Sequence, residues 1–160
     1  MSIAENVAEI RRQMEAAALA AGRDPKEILL CAATKMNDAG AVRQAIAAGV
    51  DCCGENRVQE LTAKLAQNAY DGAPVHFIGH LQTNKVRQVV GKVSLIQSVD
   101  SARLLAAIDR EAARQGIVQD ILLEVNIGEE ASKSGFAAGD ILPLMEKIGE
   151  FSNICIKGLM

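Results

Sequence analysis

The sequence predicts an α/β fold in which parallel strands alternate with helices. The first strand candidate, residues 28–33, is an apolar run without alternation, which is typical of a strand buried on both faces of a parallel sheet. Amphipathic segments with helix start and stop residues separate it from five later strand candidates. This strict alternation fits either an open doubly wound sheet or a closed barrel.

The predicted elements follow one another with short connections. We expect strands near residues 28–33, 50–53, 75–78, 94–97, 121–126 and 154–159. We expect helices near residues 2–22, 38–49, 55–67, 83–90, 101–115 and 139–149. Ser2 and Glu5 form the capping box of the first helix, and Gly22 ends it. A closed barrel needs eight units and about 250 residues, so a barrel built from six predicted strands would be incomplete.

Composition indicates one soluble domain over residues 1–160. The chain is 49% hydrophobic and 23% charged, which suits a domain with a core. A net charge of -3 predicts no nucleic-acid partner and no anionic membrane partner. The chain begins with an acidic segment that is unlike a signal peptide, and no apolar run reaches membrane length, so we expect a cytoplasmic protein. The four cysteines lack C-x-x-C spacing, which predicts reduced structural thiols and no metal site.

Lys35 follows the first predicted strand, at the carboxyl end where parallel folds bind ligands. We expect its amine to lie at the carboxyl end of the strand, where it is partly shielded from solvent. Burial there would lower its pKa and leave the amine free to attack an aldehyde. The alternative is an ordinary lysine that extends from a strand end into solvent.

Asn56 and His80 follow the second and third predicted strands. Asn56 is suited to hydrogen-bonding a ring hydroxyl or a carboxylate, or else to capping a helix. Glu55, just before it, is expected in the first helical turn. His76 lies within a strand and is expected to be packed or hydrogen-bonded. His80 lies at a strand end, where an imidazole can stack on a planar ligand or exchange protons.

Lys133 lies in a polar, glycine-bounded segment at residues 128–136. An active-site loop and a solvated connector both account for this composition. The chain contains no Walker or G-x-G-x-x-G motif, so no sequence motif establishes phosphate binding.

Taken together and in this order, the motifs resemble the pyridoxal 5'-phosphate homeostasis protein family of the YggS and PROSC type over the whole chain. They are AATK at 32–35, GENRVQE at 54–60, HFIGHLQTNK at 76–85, EASKSG at 130–135 and KGLM at 157–160. The resemblance implies an alanine-racemase-like TIM (β/α) barrel, with about six of its eight β/α units in this chain.

The resemblance also implies the cofactor and its ligands. Lys35 matches the lysine that holds pyridoxal 5'-phosphate as a Schiff base, and Asn56 matches an asparagine near the cofactor. Lys133 matches a loop lysine that assists cofactor handling, whereas His80 stands where many members have proline. The implied function is homeostasis of pyridoxal phosphate (vitamin B6) without established catalytic turnover.

Family members continue beyond Met160 into two further units, which hold the phosphate. A sheet that lacks two strands has unpaired edges. We therefore expect a monomer or weak homo-oligomer, with association possible through those edges.

Three other functions remain open from the residues. A pyridoxal-phosphate racemase needs acid and base groups on both faces of its substrate, and the single tyrosine, Tyr70, is expected near a helix end far from the strand mouths. A cofactor-free aldolase would use Lys35 to attack a ketone. A partner-binding half barrel would need neither chemistry.

Overall fold

The computed structural model describes residues 1–128, 130 and 134–160, so Lys133 lies outside the described residues. The chain separates into two compact units. Unit 1 comprises Met1–Glu55 and Gln59–Val75, and unit 2 comprises Asn56–Val58 and His76–Met160. The single domain expected from composition stays a prediction.

Unit 1 contains two parallel strands, three α-helices and one short 3-10 helix. The strands are β1 (Cys31–Ala33) and β2 (Cys52–Glu55), paired in parallel with Cys31 opposite Cys52. The α-helices are α1 (Ile3–Ala20), α2 (Ala39–Ala47) and all of α3 (Val58–Ala66) except its first residue. All four β2 residues are buried, so this strand forms the centre of the unit.

Helix α1 begins as predicted. The Ser2 hydroxyl accepts a hydrogen bond from the Glu5 N–H, and the Glu5 carboxylate accepts one from the Ser2 N–H at 2.6 Å. This reciprocal pairing satisfies two amides that the helix itself leaves without partners. Farther along α1, Arg11 donates to the Asp51 carboxylate at 2.6 Å, which connects the helix to the residue before β2.

Strand β1 is shorter and more exposed than predicted. Of the predicted strand at 28–33, only Cys31–Ala33 is strand, and Leu29 is 66% exposed. A 3-10 helix at Pro25–Glu27 delays the start of the strand, because its capping residue is Ile28. Strand β1 lies at the edge of the sheet, which accounts for its partial exposure. The prediction of burial on both faces was therefore wrong.

Unit 2 contains the later strands, which pair in parallel and in chain order. They are β3 (Val75–Phe77), β4 (Leu95–Val99), β5 (Gln119–Leu123) and β6 (Ile154–Leu159), of which Val75 alone belongs to unit 1. In the described part of this unit, two α-helices accompany them, α4 (Ala102–Gln115) and α5 (Ile141–Glu146). The predicted bounds of β6 are confirmed.

Helix α4 covers the core of unit 2. Ser101 caps its start by accepting from the Leu104 N–H, and Gly116 ends it in the left-handed conformation at φ 68°. Its buried positions recur at helical spacing, as expected for a helix with one apolar face. They are Leu104, Leu105, Ile108 and Ala112.

Two predicted helices differ from the structure. The segment predicted as a helix at 83–90 is a 3-10 helix at Thr83–Gln88. Its N-cap residue, Gln82, makes no side-chain capping hydrogen bond, and the β-branched side chain of Val86 is disfavoured in an α-helix. The helix predicted at 139–149 is α-helical only in α5, because Gly149 and its neighbours tighten into a 3-10 turn.

Within the described ranges, no helix is both long enough and apolar enough to cross a membrane.

The core of unit 2 gives a direct test of the packing. Leu105 has no exposed surface, so we expect Leu105→Ala to lower the free energy of unfolding by about 2 to 5 kcal/mol. Urea unfolding measures this change. Leu142→Ala is the control, because Leu142 is 77% exposed and its truncation should change stability by no more than about 0.5 kcal/mol. Equal losses in the two variants would contradict the described core.

Candidate functional site

Lys35 lies two residues beyond the end of β1, as predicted, but its side chain is exposed. The partial desolvation expected from the sequence was therefore wrong, because the edge strand β1 leaves this position open to solvent. Among the described residues, no group hydrogen-bonds or ion-pairs with the Lys35 amine. The nitrogen is accessible to a ligand that approaches from solvent.

The backbone around Lys35 is held in place, in contrast to its side chain. The Lys64 ammonium donates to the Thr34 carbonyl at 2.7 Å. The Met36 N–H donates to the Glu60 carboxylate at 2.8 Å. Met36 itself has φ 62°, in the left-handed region. Two charged side chains of α3 therefore fix the peptide groups on either side of Lys35.

A buried polar network lies behind this backbone and centres on Glu55, which has no exposed surface. Its Oε1 accepts from the Thr34 hydroxyl at 2.6 Å, from the Lys64 ammonium at 2.6 Å and from the Tyr70 hydroxyl at 3.2 Å. All four residues are buried. Buried charges are stable only when paired and hydrogen-bonded in this way.

The position of Glu55 corrects the sequence analysis. It was expected in the first turn of a helix, but it is the last residue of β2, because that strand lies two residues later than predicted. Helical spacing accounts for Lys64, which follows buried Leu61 by three residues and so lies on the buried face of α3. The sequence signals that could have found this network are a glutamate after three buried strand residues and a lysine on an apolar helical face.

Tyr70 also lies elsewhere than expected. The sequence analysis placed it far from the strand ends, but its hydroxyl donates to Glu55 at the end of β2. Burial, and next the negative charge of Glu55, raise the pKa of Tyr70 well above its usual value. The phenol is therefore held protonated as a hydrogen-bond donor and is poorly suited to act as a base.

Asn56 begins the polar part of unit 2. Its side-chain oxygen is buried and has no hydrogen-bond partner in the part of the chain that the structure describes. Gly79 packs against its backbone so closely that a Cβ at position 79 would overlap the Asn56 carbonyl oxygen. A buried acceptor without a partner is uncommon in proteins, and a ligand hydroxyl would satisfy it.

His80 belongs to a titratable cluster in unit 2. Its Nδ1 lies 3.0 Å from an Asp100 carboxylate oxygen and 3.5 Å from the Ser134 hydroxyl. Burial, and next the Asp100 charge, raise the pKa of the Glu124 carboxyl, while His80 opposes this effect. His80, Asp100 and Glu124 follow β3, β4 and β5, so the carboxyl ends of three strands converge here.

His76 is hydrogen-bonded as predicted, with Gln97 Nε2 2.9 Å from its Nδ1.

A cleft of about 500 Å³ lies beside this cluster. It is lined by Glu124, Val125, Asn126, Ile127, Gly128, Glu130 and Ser134. His80 is predicted from the sequence, whereas the two carboxylates are not among the predicted site residues. Each of them directly follows a strand, and that position was the available signal.

The structure distributes the predicted site residues over the two units. Lys35 belongs to unit 1, whereas Asn56 and His80 belong to unit 2. Within unit 2, Asn56 packs against Gly79, the residue before His80. Each of the three follows a strand, as expected for ligand-binding positions in a parallel α/β fold.

The family described as "Alanine racemase, N-terminal domain" matches residues 2–160. The match defines the class, a protein built on the alanine-racemase-like β/α barrel, with six strands among the residues that the structure describes. The fold class predicted from the sequence is confirmed.

Several proteins resemble this chain along its full length. A pyridoxal phosphate homeostasis protein of Pseudomonas aeruginosa is 38% identical over 99% of this chain and 69% of its own length. PipY of Synechococcus elongatus PCC7942, solved with PLP bound, is 34% identical with a TM-score of 0.83, covering 99% of this chain and 69% of PipY. An unknown protein from Bifidobacterium adolescentis is 40% identical with a TM-score of 0.91, covering 99% and 68%. This chain belongs to the pyridoxal phosphate homeostasis protein family, which confirms the resemblance.

The raised pKa of Glu124 predicts a pH dependence of stability. The folded state binds this proton more tightly than the unfolded state, whose carboxyl has the ordinary value of 4.5. The contribution to stability is therefore complete below that value and is lost as pH rises through the folded pKa. We expect Glu124→Gln to remove this loss, which urea unfolding at about pH 4 and about pH 7 would measure. Glu146→Gln, at an exposed position of α5, is the control, and equal behaviour of the two variants would refute the assignment.

The buried pair of Glu55 and Lys64 predicts an asymmetry between single and double variants. Lys64→Met leaves a buried carboxylate without its cation and should cost about 3 to 5 kcal/mol. Adding Glu55→Gln should recover much of that loss, because no buried charge then remains unpaired. Urea unfolding compares both variants with Lys92→Met, an exposed control. A double variant less stable than Lys64→Met would contradict this account.

Proposed function

We propose that this protein binds pyridoxal 5'-phosphate and serves in its homeostasis, with Lys35 holding the cofactor as a Schiff base. The observation that carries the proposal is the accessible Lys35 amine at a strand end, on a backbone fixed from both sides. The names of the relatives and the PLP in the PipY structure support it.

The two lysines near β1 and β2 differ in their capacity for this chemistry. The Lys35 amine is exposed, whereas Lys64 is 6% exposed and donates to Glu55 and Thr34. When bound, the cofactor supplies an aldehyde carbon, to which an amine nitrogen bonds while the carbonyl oxygen leaves as water. Only Lys35 of this pair presents such a nitrogen to solvent.

The remaining predicted residues would bind the rest of the ligand. The unpaired Asn56 oxygen would accept from a ring hydroxyl, which fits the chemistry of a hydroxypyridine. His80, oriented by Asp100, would stack on or face the ring. Lys133 would assist cofactor handling, and this role rests on the family resemblance alone.

We propose cofactor carriage rather than catalytic turnover. A racemase needs acid and base groups on two faces of its substrate, but the single tyrosine, Tyr70, is buried and donates to Glu55. The names of the relatives refer to homeostasis and not to racemisation.

We also propose that the protein works in the cytoplasm as a monomer or weak homo-oligomer. Its four cysteines are free thiols, which suits a reducing compartment. A net charge of -3 gives no general attraction to nucleic acid or to anionic membranes. Its partner would then be the small-molecule cofactor.

Titration with pyridoxal phosphate, followed by borohydride reduction and peptide mapping, tests the role of Lys35. We expect a label on Lys35 in the wild type and its complete loss in Lys35→Arg, which keeps the positive charge but lacks the reactive amine. Lys92→Arg is the matched control at an exposed lysine and should label Lys35 as the wild type does. A wild type that is unlabelled, or labelled equally on many surface lysines, would refute the proposal.

A further inference from the structure

We propose that Lys64, together with Glu55 and Glu60, is a positioning device that presents the Lys35 amine for aldehyde capture. This inference rests on the proposed function, because it concerns how Lys35 performs it. None of the three side chains needs to touch the ligand. Lys64 and Glu60 bond to the backbone on either side of Lys35, and Glu55 holds Lys64.

The geometry carries the inference. Lys64 Nζ lies 2.7 Å from the Thr34 carbonyl oxygen, which belongs to the peptide group before Lys35. Glu60 Oε2 lies 2.8 Å from the Met36 nitrogen, which belongs to the peptide group after it. Lys64 Nζ lies 3.7 Å from Glu60 Oε2, and the two residues are separated by one turn of α3. Side chains from a single turn of α3 therefore hydrogen-bond to both peptide groups that flank Lys35.

The conformation of Met36 shows that these hydrogen bonds act on a backbone that departs from the usual preference for negative φ. Its φ of 62° is left-handed, a region that residues with a side chain rarely adopt. Such a conformation persists only where surrounding contacts determine it. The hydrogen bond from the Met36 N–H to Glu60 is one such contact.

Stability alone does not account for the charges of this network. Replacing a buried ion pair by packed apolar side chains is often neutral or stabilising. An apolar side chain at position 64 would fill the space but would not donate to the Thr34 carbonyl. The directional hydrogen bond is therefore what a lysine adds at this position.

The same network keeps a second amine out of the reaction. The Lys64 ammonium is bound to Glu55 Oε1 and the Thr34 carbonyl, and its side chain is 7% exposed. It therefore orders the neighbouring nucleophile without competing for the aldehyde. Lys35 is left as the reactive member of the pair.

The decisive experiment compares wild type, Lys64→Met, Lys64→Arg, the Glu55→Gln/Lys64→Met double variant and Lys92→Met. The double variant contains no unpaired buried charge, so it keeps the test valid if Lys64→Met fails to fold. The first measurement, without any cofactor, is amide hydrogen exchange at Met36. The second is the rate at which pyridoxal phosphate becomes borohydride-trapped on Lys35, in variants that urea unfolding shows to be folded.

We expect faster Met36 exchange and slower Lys35 capture in the double variant, each by about tenfold, which corresponds to the loss of one charge-assisted hydrogen bond. Lys64→Arg, which keeps a cationic donor, should lie between this variant and the wild type. Lys92→Met should match the wild type. This pattern would support a positioning role.

The inference is overturned if the folded double variant captures pyridoxal phosphate on Lys35 at the wild-type rate, whether or not Met36 exchange changes. It is also overturned if Met36 exchange is unchanged. A wild type that captures no cofactor on Lys35 refutes the proposed function instead. Met36 exchange would still decide in that case whether the network fixes the backbone.

Discussion

The carboxylate of Glu55, buried at the end of β2, is the constraint on which the organisation of unit 1 depends. A carboxylate without exposed surface needs donors. Thr34, Lys64 and Tyr70 all donate to its Oε1, whereas its Oε2 has no hydrogen-bond partner among the described residues. These donors come from three different segments of the chain, so satisfying one acceptor joins the end of β1, helix α3 and the segment that follows it. Lys64, one of these donors, also bonds to the Thr34 carbonyl beside Lys35.

The sequence predicted the elements whose determinants are local. Helix α1 has a capping box, and helix α4 has a capping serine and a buried apolar face. Both helices lie where those local signals predict them. The exposure of β1 and the register of β2 depend on which neighbours a strand has, which no local pattern encodes. Glu55 and Tyr70 were misplaced for the same reason, because their burial arises from contacts between distant segments.

The candidate site shows a similar division. The family and the fold class followed from ordered motifs and were confirmed, and Lys35, Asn56 and His80 each lie just beyond a strand. Their surroundings were not predictable. Lys35 was expected to be partly buried and is exposed, whereas Asp100 and Glu124 join His80 only because three separate strands end side by side. The local sequence is enough to predict that a residue follows a strand. The charges around that residue depend on which other strands end beside it.

The contact between Gly79 and Asn56 restricts how this protein could be re-engineered. A hydrogen is the largest group that position 79 accommodates, since even a methyl carbon there would overlap the Asn56 backbone. A designer who wished to reshape the proposed cofactor-binding region for a bulkier vitamer would gain nothing from a library at that position. The adjacent His80, whose side chain is 60% exposed, offers the space in which new specificity could be built.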